Sequence, residues 1–416
     1  MNNKKLKLAV IGAGGRGNAY SSYALTHPDE VEMVMVAEPR EGQRQTFAEK
    51  YKITDENCFN DYDEFFMLKR DVDLLLICTQ DKMHFEPAMI ALEQGYDVLL
   101  EKPMTPNSEE CKALVECSER TGKILAICHV LRYTSFFSKL KSLIDEGRIG
   151  KLVSMSLDEN IAYWHFSHSY VRGPWANSKE SSPIILAKSC HDLDILYWYA
   201  DSKCKSISSF GDLVQFKAEN APEGAPKRCS DGCPVKNDCL YYAPNIYVHD
   251  EHSWLSTANR SSENISGILE GLKTSEFGRC VYHCENDVPD HMVTAMEFEN
   301  GVTATFNLNA YTNECYRTIK LRGTLGEISG NIEEDKIEIV DFKSGETHTI
   351  ELKKVSSGHG GGDTGIMQSL VTALSVGGKP LTNASESLQS HLMAFAAEQS
   401  RVSGKTVDLL AENSQR

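Results

Sequence analysis

Residues 6–17 read LKLAVIGAGGRG, a short apolar run that turns directly into glycines. Gly12, Gly14 and Gly17 fit the G-x-G-x-x-G spacing of a dinucleotide-binding turn. The first glycine makes the tight turn, and the second lets a pyrophosphate approach the backbone. The third lets the following helix pack closely on the strand. Gly15 and Arg16 complete the loop, with Arg16 expected near the adenine or the phosphates. A glycine triplet by itself is also compatible with a turn that binds nothing. Here a second strand, Val31–Glu38, ends in an acid about 20 residues further on, where the ribose hydroxyls of a dinucleotide lie. Glu38 suits the 2′-hydroxyl of NAD and repels the 2′-phosphate of NADP. Arg40 offers the opposite, so NAD is expected and NADP remains the alternative.

Beyond the loop the alternation continues. Helical pattern runs over Arg40–Tyr51, His84–Gln94 and Ser108–Thr121, and apolar strands over Val72–Thr79, Asp97–Glu101 and Lys123–His129. Ser108, followed by Glu109 and Glu110, reads as the start of the third of these helices. Such alternation predicts a doubly wound parallel sheet, covered on both faces and ending near residue 129. Residues 130–416 read differently. Helices are expected at Phe136–Glu146 and Ser182–Ala200, the latter capped by Ser182 with Pro183 at its first position. A strand is expected at Lys151–Asn160. Six short strands then follow between Val293 and Leu352, separated by turns such as Glu299-Asn300-Gly301. Helices Thr364–Ser375 and Ala384–Ser403 close the chain. The fold class expected is therefore α/β: a Rossmann domain over 1–129, then an α+β domain over 130–416 with a large, mainly antiparallel sheet.

The net charge of −16 over 416 residues argues against a nucleic-acid partner, whose phosphates demand a basic face. No apolar run approaches the roughly 18 residues of a membrane span, and no secretory signal is read at the N-terminus. The expected compartment is the cytoplasm, where thirteen cysteines suggest free thiols or metal ligands before disulfides.

Glu101-Lys102-Pro103 ends the fourth strand. An ammonium there sits in the crevice where ligands bind and can stabilise a substrate oxygen as hydride moves. With the glycine loop and the stretch Thr79…His84, this half resembles the Gfo/Idh/MocA family of sugar and cyclitol dehydrogenases. The resemblance implies that Lys102 lies between nicotinamide and substrate, and that Thr79, His84 and Glu101 contribute to the cofactor site. It extends through Arg148–Leu152 and the helix carrying His191. Family members usually place an Asp four residues before that His, whereas this chain has Ala187. Lys188, three residues before His191, shares a helix face with it. The expected catalytic set is thus Lys102, Lys188 and His191, with His191 exchanging the substrate proton. The alternative is that His191 belongs to a polar network beside Asp192 and Asp194.

Trp164–Trp175 carries His168, Arg172 and Trp175 and reads as a sugar-binding wall, or else as an interdomain loop filling core. Asp287, Asp290 and His291 are weaker site candidates, and Trp254, His359 and Asp363 weaker still. Cys229, Cys233 and Cys239 form a candidate structural zinc site that Cys280, His283 or Cys284 would complete; free thiols are the alternative. The function expected is NAD(P)-dependent oxidation of a secondary hydroxyl of a sugar or cyclitol, in a homodimer or homotetramer. An NAD-dependent redox-assisted glycosidase and a non-catalytic dinucleotide sensor are the other readings.

Overall fold

The computed structural model describes residues 5–67, 69–248, 264–355 and 358–410, so Trp254 lies outside the described residues. Strands β1 Leu6–Ile11, β2 Val31–Ala37, β3 Cys58–Phe59, β4 Leu74–Ile77, β5 Asp97–Leu100 and β6 Leu125–Ile127 form one sheet. Their order is β3-β2-β1-β4-β5-β6, and every pair is parallel. This is the doubly wound arrangement, whose order reverses between β1 and β4 and opens a crevice at the strands' C-terminal ends. Leu74–Ile77 is buried throughout, as expected for a strand covered on both faces. One face packs Ile11, Leu75 and Leu100 under Leu92 and Leu114, and the other packs Val10 and Leu76 against Ile366 and Leu370. The helix Gly362–Val376, late in the sequence, therefore covers the Rossmann sheet.

The second sheet contains β7 Leu152–Ala162, β8 Cys204–Asp212, β9 His291–Phe298, β10 Thr303–Thr312, β11 Tyr316–Gly323, β12 Gly326–Asn331, β13 Lys336–Asp341, β14 Thr347–Glu351 and β15 Val407–Asp408. Its order is β14-β13-β12-β11-β7-β10-β9-β8-β15, antiparallel except where β10 runs parallel to β7. Alternate residues of β9 and β10 are buried against the helices Cys190–Ala200 and Ala384–Ser403, leaving the opposite face outward. That period of two made these strands readable. β8 escaped because its Ser-rich sequence lacks apolar alternation; Ser209 is buried by hydrogen bonding Thr294, at 2.8 Å, and not by apolar character.

Two helix expectations change. Asn107, not Ser108, caps Ser108–Thr121, its carboxamide oxygen accepting from the amides of Glu109 and Glu110. Ser182–Ala200 is not one helix: Ile184–Ala187 stops after a single turn, and Cys190–Ala200 begins after Lys188 and Ser189. Ser182 caps neither, because its hydroxyl donates to Asp81 at 2.5 Å. Among the described residues no helix is long and apolar enough to cross a membrane.

Candidate active site

β1 ends at Ile11 and the chain reverses at Gly12, whose φ is +91°. A Cβ there would stand 2.5 Å from the Cys78 carbonyl oxygen, and one on Gly17 would stand 2.1 Å from the Gly12 carbonyl oxygen. Both glycines are therefore fixed by close backbone approach. Nothing lies within 4 Å of the corresponding position on Gly15, and only Arg40 Nη2 approaches Gly14, at 3.7 Å. The loop leaves its backbone open to a pyrophosphate, which fits NAD. Glu38 is buried just beyond β2; its carboxylate accepts from the Ala13 amide at 3.0 Å and from Arg40 Nη2 at 2.7 Å. Burial alone would raise the Glu38 pKa, but the bonds from Arg40 and Ala13 hold it below the ordinary range. Arg40 spends its charge on Glu38.

At the end of β5, Glu101 is buried and receives Arg16 Nε and the Tyr20 hydroxyl at 2.7 Å each, and the Lys102 amide at 2.8 Å. Burial would push its carboxyl up; Arg16 and Lys102 keep it below the usual range. Arg16 also donates to Asp363 at 2.7 Å, and His359 Nδ1 lies 3.1 Å from the same carboxylate. Asp363 is held low by these two partners against its burial. His84 braces the following turn: Nδ1 lies 2.7 Å from the Pro103 carbonyl and Nε2 3.1 Å from that of Thr79. Since both its nitrogens face backbone, His84 positions the turn. Thr79 donates its hydroxyl to the Met83 carbonyl at 2.9 Å.

Lys102 reaches across the crevice. Its Nζ donates to the Ala187 carbonyl at 2.6 Å, at the point where the short helix stops. His191, in the first turn of the next helix, is buried, and its Nδ1 has no hydrogen-bond partner. The His129 ring stands edge-on to it with centroids 5.7 Å apart, and the His359 ring is 6.3 Å away. Burial, reinforced by the charges of Lys102 and the neighbouring histidines, pushes the His191 pKa well below its ordinary value. The imidazole is neutral at pH 7.

Lys188 does not share a face with His191, because the helix breaks between them. Its ammonium pairs with Glu159 of β7 at 2.9 Å. Arg317 of β11 lies 2.6 Å from both Glu159 and Asp192, so two acids and two bases close a compact network behind the crevice. Asp192 is raised above the usual carboxylate range by burial and by the nearby Glu159. The neighbouring Asp194 is taken by Arg132 through two bonds of 2.7 Å.

Residues 6–129 match the model of the Gfo/Idh/MocA oxidoreductase family with an NAD-binding Rossmann fold. The match covers the Rossmann domain. Among its relatives, YteT of Bacillus subtilis, named for oxidoreductase activity alone, is 24% identical over 332 residues, 74% of either chain. The scyllo-inositol 2-dehydrogenase (NAD(+)) of Bacillus subtilis is 26% identical over 339 residues, covering 74% of this chain and 95% of that one. A levoglucosan dehydrogenase solved with NADH and levoglucosan superposes with a TM-score of 0.72 at 19% identity, over 98% of this chain and 100% of the other. The chain is thus an NAD-binding oxidoreductase, similar to members of that family. These relatives give no support to the glycosidase or sensor readings.

The Trp164–Trp175 segment is mostly interior. His168 is buried, stacks on Phe277 with centroids 4.6 Å apart, and has Nδ1 2.8 Å from the Tyr247 hydroxyl. Arg172 is 1% exposed and donates to the carbonyls of Arg279 and Tyr241, at 2.7 and 2.6 Å. Neither lines the Lys102 crevice; packing of the Cys-containing insert has claimed both. Trp175 stays nearer, its Nε1 donating to Asp81 at 3.3 Å. Asp290 accepts the amides of Val214 and Gln215, at 2.8 and 2.9 Å, and lies 2.9 Å from His291 Nδ1. Asp287 holds Ser178 through its amide and hydroxyl, at 2.6 and 2.7 Å. Both aspartates fix turns.

The single-zinc expectation for Cys229, Cys233 and Cys239 finds no support. Among the described residues no group of three or more His, Cys, Asp and Glu side chains is arranged to hold a metal ion. His283 turns its Nε2 to the Ala225 carbonyl at 3.1 Å, and Cys284 its Sγ to that of Cys280 at 3.3 Å, so neither completes a set. Sequence reading missed Glu159 and Arg317, which lie on strands of ordinary appearance far from any motif.

Proposed function

We propose that this chain reversibly oxidises a secondary hydroxyl of a pyranose or cyclitol, with NAD preferred over NADP. The observation that carries the reading is the placement across the crevice of Lys102, whose ammonium hydrogen-bonds a backbone carbonyl and forms no ion pair at hydrogen-bond distance among the described residues, and His191, held neutral. When bound, NAD supplies the hydride acceptor. Lys102 binds the substrate oxygen and stabilises the negative charge that develops on it. His191 takes the hydroxyl proton as the carbinol hydrogen departs as hydride, leaving a ketone; in reverse it returns that proton. The Lys188–Glu159–Arg317–Asp192 network fixes the floor on which His191 stands. The names of the inositol and levoglucosan enzymes support the substrate class. The mutual pairing of Glu38 and Arg40 supports NAD, since a 2′-phosphate would meet a buried carboxylate and an arginine already neutralised. We place the enzyme in the cytoplasm as a homodimer or homotetramer. The outward face of the second sheet, with Ser154, Ser156, Thr303 and Thr305 side by side, suits sheet-to-sheet contact.

The test is absorbance of reduced cofactor while the protein meets a panel of inositols, hexoses and pyranosides with NAD or NADP. Reduction of NAD by one polyol, abolished in Lys102→Ala, is expected. Failure of every polyol and ketone to change the cofactor would overturn the proposal.

A further inference from the structure

The stretch Gly358-His359-Gly360-Gly361-Gly362 sets one histidine among four glycines. His359 has φ +49°, Gly360 +58° and Gly361 +90°, so the chain is left-handed over three successive residues. Glycine adopts that backbone freely, whereas a Cβ crowds it. A histidine kept at the one left-handed position of this run that is not glycine points to a use for its side chain. The base of the loop is fixed by contact. A Cβ on Gly362 would stand 2.4 Å from the Val130 carbonyl oxygen, and one on Gly365 2.8 Å from Tyr133 Cβ. The start of the helix Gly362–Val376 therefore lies directly on the backbone that follows His129.

Asp363 orients the imidazole. Its carboxylate can only accept, and it takes Arg16 Nη2 at 2.7 Å, Arg16 Nη1 at 3.2 Å and His359 Nδ1 at 3.1 Å. Arg16 Nη1 also lies 3.3 Å from His359 Nδ1, but its hydrogen is directed to the same carboxylate. Nδ1 of His359 thus carries a proton, and in the neutral ring Nε2 keeps the lone pair. Two imidazoles flank His191. Inward lies His129, buried, with its ring centre 5.7 Å from that of His191 and 5.4 Å from that of His391. That path closes at His391, whose Nε2 accepts the Met104 amide at 2.9 Å and whose Nδ1 lies 2.8 Å from the Ser387 carbonyl. Outward lies His359, its ring centre 6.3 Å from that of His191 and its side chain 39% exposed.

A buried base must be emptied after every turnover, because an imidazolium left in the interior blocks the next one. We propose that His359, oriented by Asp363, carries the substrate proton from His191 to solvent. The inference rests on the hydride-transfer reading of the crevice. The carbinol hydrogen leaves as hydride to NAD, and the hydroxyl proton passes to His191. His191 then gives that proton to a bridging water, which gives one of its own to His359 Nε2; one water spans such a gap between rings. The Asp363 carboxylate stabilises the imidazolium formed at His359. His359 releases the proton to bulk water, so the sum is alcohol and NAD to ketone, NADH and one free proton. In ketone reduction the same path runs inward.

The experiment uses the full chain with NAD and the polyol it oxidises, following NADH by stopped flow and in the steady state. His359→Gly and His359→Asn are the variants, since both residues accept left-handed backbone. Each should lower kcat by about 10², the low end for a lost proton-transfer group, with the KM for polyol and NAD affinity unchanged. The first turnover should keep its native rate, because His191 starts neutral and only later turnovers wait for it to be emptied. Imidazole added to the assay should restore much of the lost kcat. His348→Gln, on exposed β14, should change nothing. An unchanged kcat in both variants would overturn the relay. So would a loss that slows the first turnover equally and that imidazole does not relieve, which would make His359 a structural or substrate-holding residue. A native chain that exchanges hydride with no polyol or ketone would overturn the reading of the crevice, and the relay with it.

Discussion

The two sides of the crevice treat charge in opposite ways. On the Rossmann side, Lys102 projects from the end of β5; its Nζ donates to the neutral Ala187 carbonyl, and the Glu101 carboxylate that feels its charge is hydrogen-bonded by Arg16. On the other side, Lys188 is locked onto Glu159, and Arg317 binds Glu159 and Asp192 together, so that shore is neutralised from within. A lysine with an uncommitted charge can answer a developing oxyanion, whereas one already in an ion pair can only hold architecture. Two lysines at one site thus have different work, and substitutions can separate them.

The largest effect is expected at His191, the proposed proton-transfer group. His191→Asn should lower kcat by about 10²–10⁴ and leave NAD affinity intact, read by steady-state rates and cofactor titration. Lys102→Met comes next: kcat down about 10²–10³ with an unchanged melting temperature, because only the Ala187 carbonyl loses a partner. Lys188→Met should reverse that pattern. Activity falls less than tenfold, but unfolding free energy drops by about 1–3 kcal/mol, since Glu159 loses one of its two cations. Adding Glu159→Gln should recover part of that loss in a double-mutant cycle. A Lys188 variant as inactive as the Lys102 variant, with native stability, would erase the contrast between the two shores.

A last, pH-dependent effect concerns the buried histidines of both shores. Burial lowers His168 to about 4 and His391 to about 3, and pushes His129, His165 and His191 well down. Each binds its proton more readily in the unfolded chain than in the fold. Stability is therefore full above the unfolded pKa of about 6.5 and is lost as pH falls below it. The slope is about 1.4 kcal/mol per pH unit for each neutral histidine. For His391 the loss continues down to about pH 3. Denaturant titrations between pH 7 and 4 should show this decline, and His391→Asn should make it shallower by one histidine's share. An unchanged slope would mean that His391 is protonated in the fold.

How far these features could be read from sequence follows from how local their causes are. β12 and β13 were legible to the residue, because alternation with a period of two on a half-buried surface is written in the strand itself. The break after Ala187 was not. Nothing in Ser182–Ala200 forbids a continuous helix; Ser182 is drawn off to Asp81 and the Ala187 carbonyl to Lys102, both on the other domain. His168 and Arg172 look like sugar contacts in a one-dimensional list of polar and aromatic residues. Their partners Tyr247, Tyr241 and Arg279 lie between 69 and 107 residues further along the chain.

The sequence by itself determined the glycine turn, the acid at the end of β2, the E-K-P lysine and the order of alternating strands and helices. Each of these follows from backbone sterics or from periodic burial within a few residues. The tertiary structure alone decided which charges are free and which are spent. That is a question of what stands within a few ångströms in space, and burial sets its stakes, because an interior charge must find a partner or lose its proton. Lys102 and Lys188 are the same residue type on the same crevice; the position of Glu159 draws Lys188 into an ion pair, while Lys102 hydrogen-bonds a neutral carbonyl.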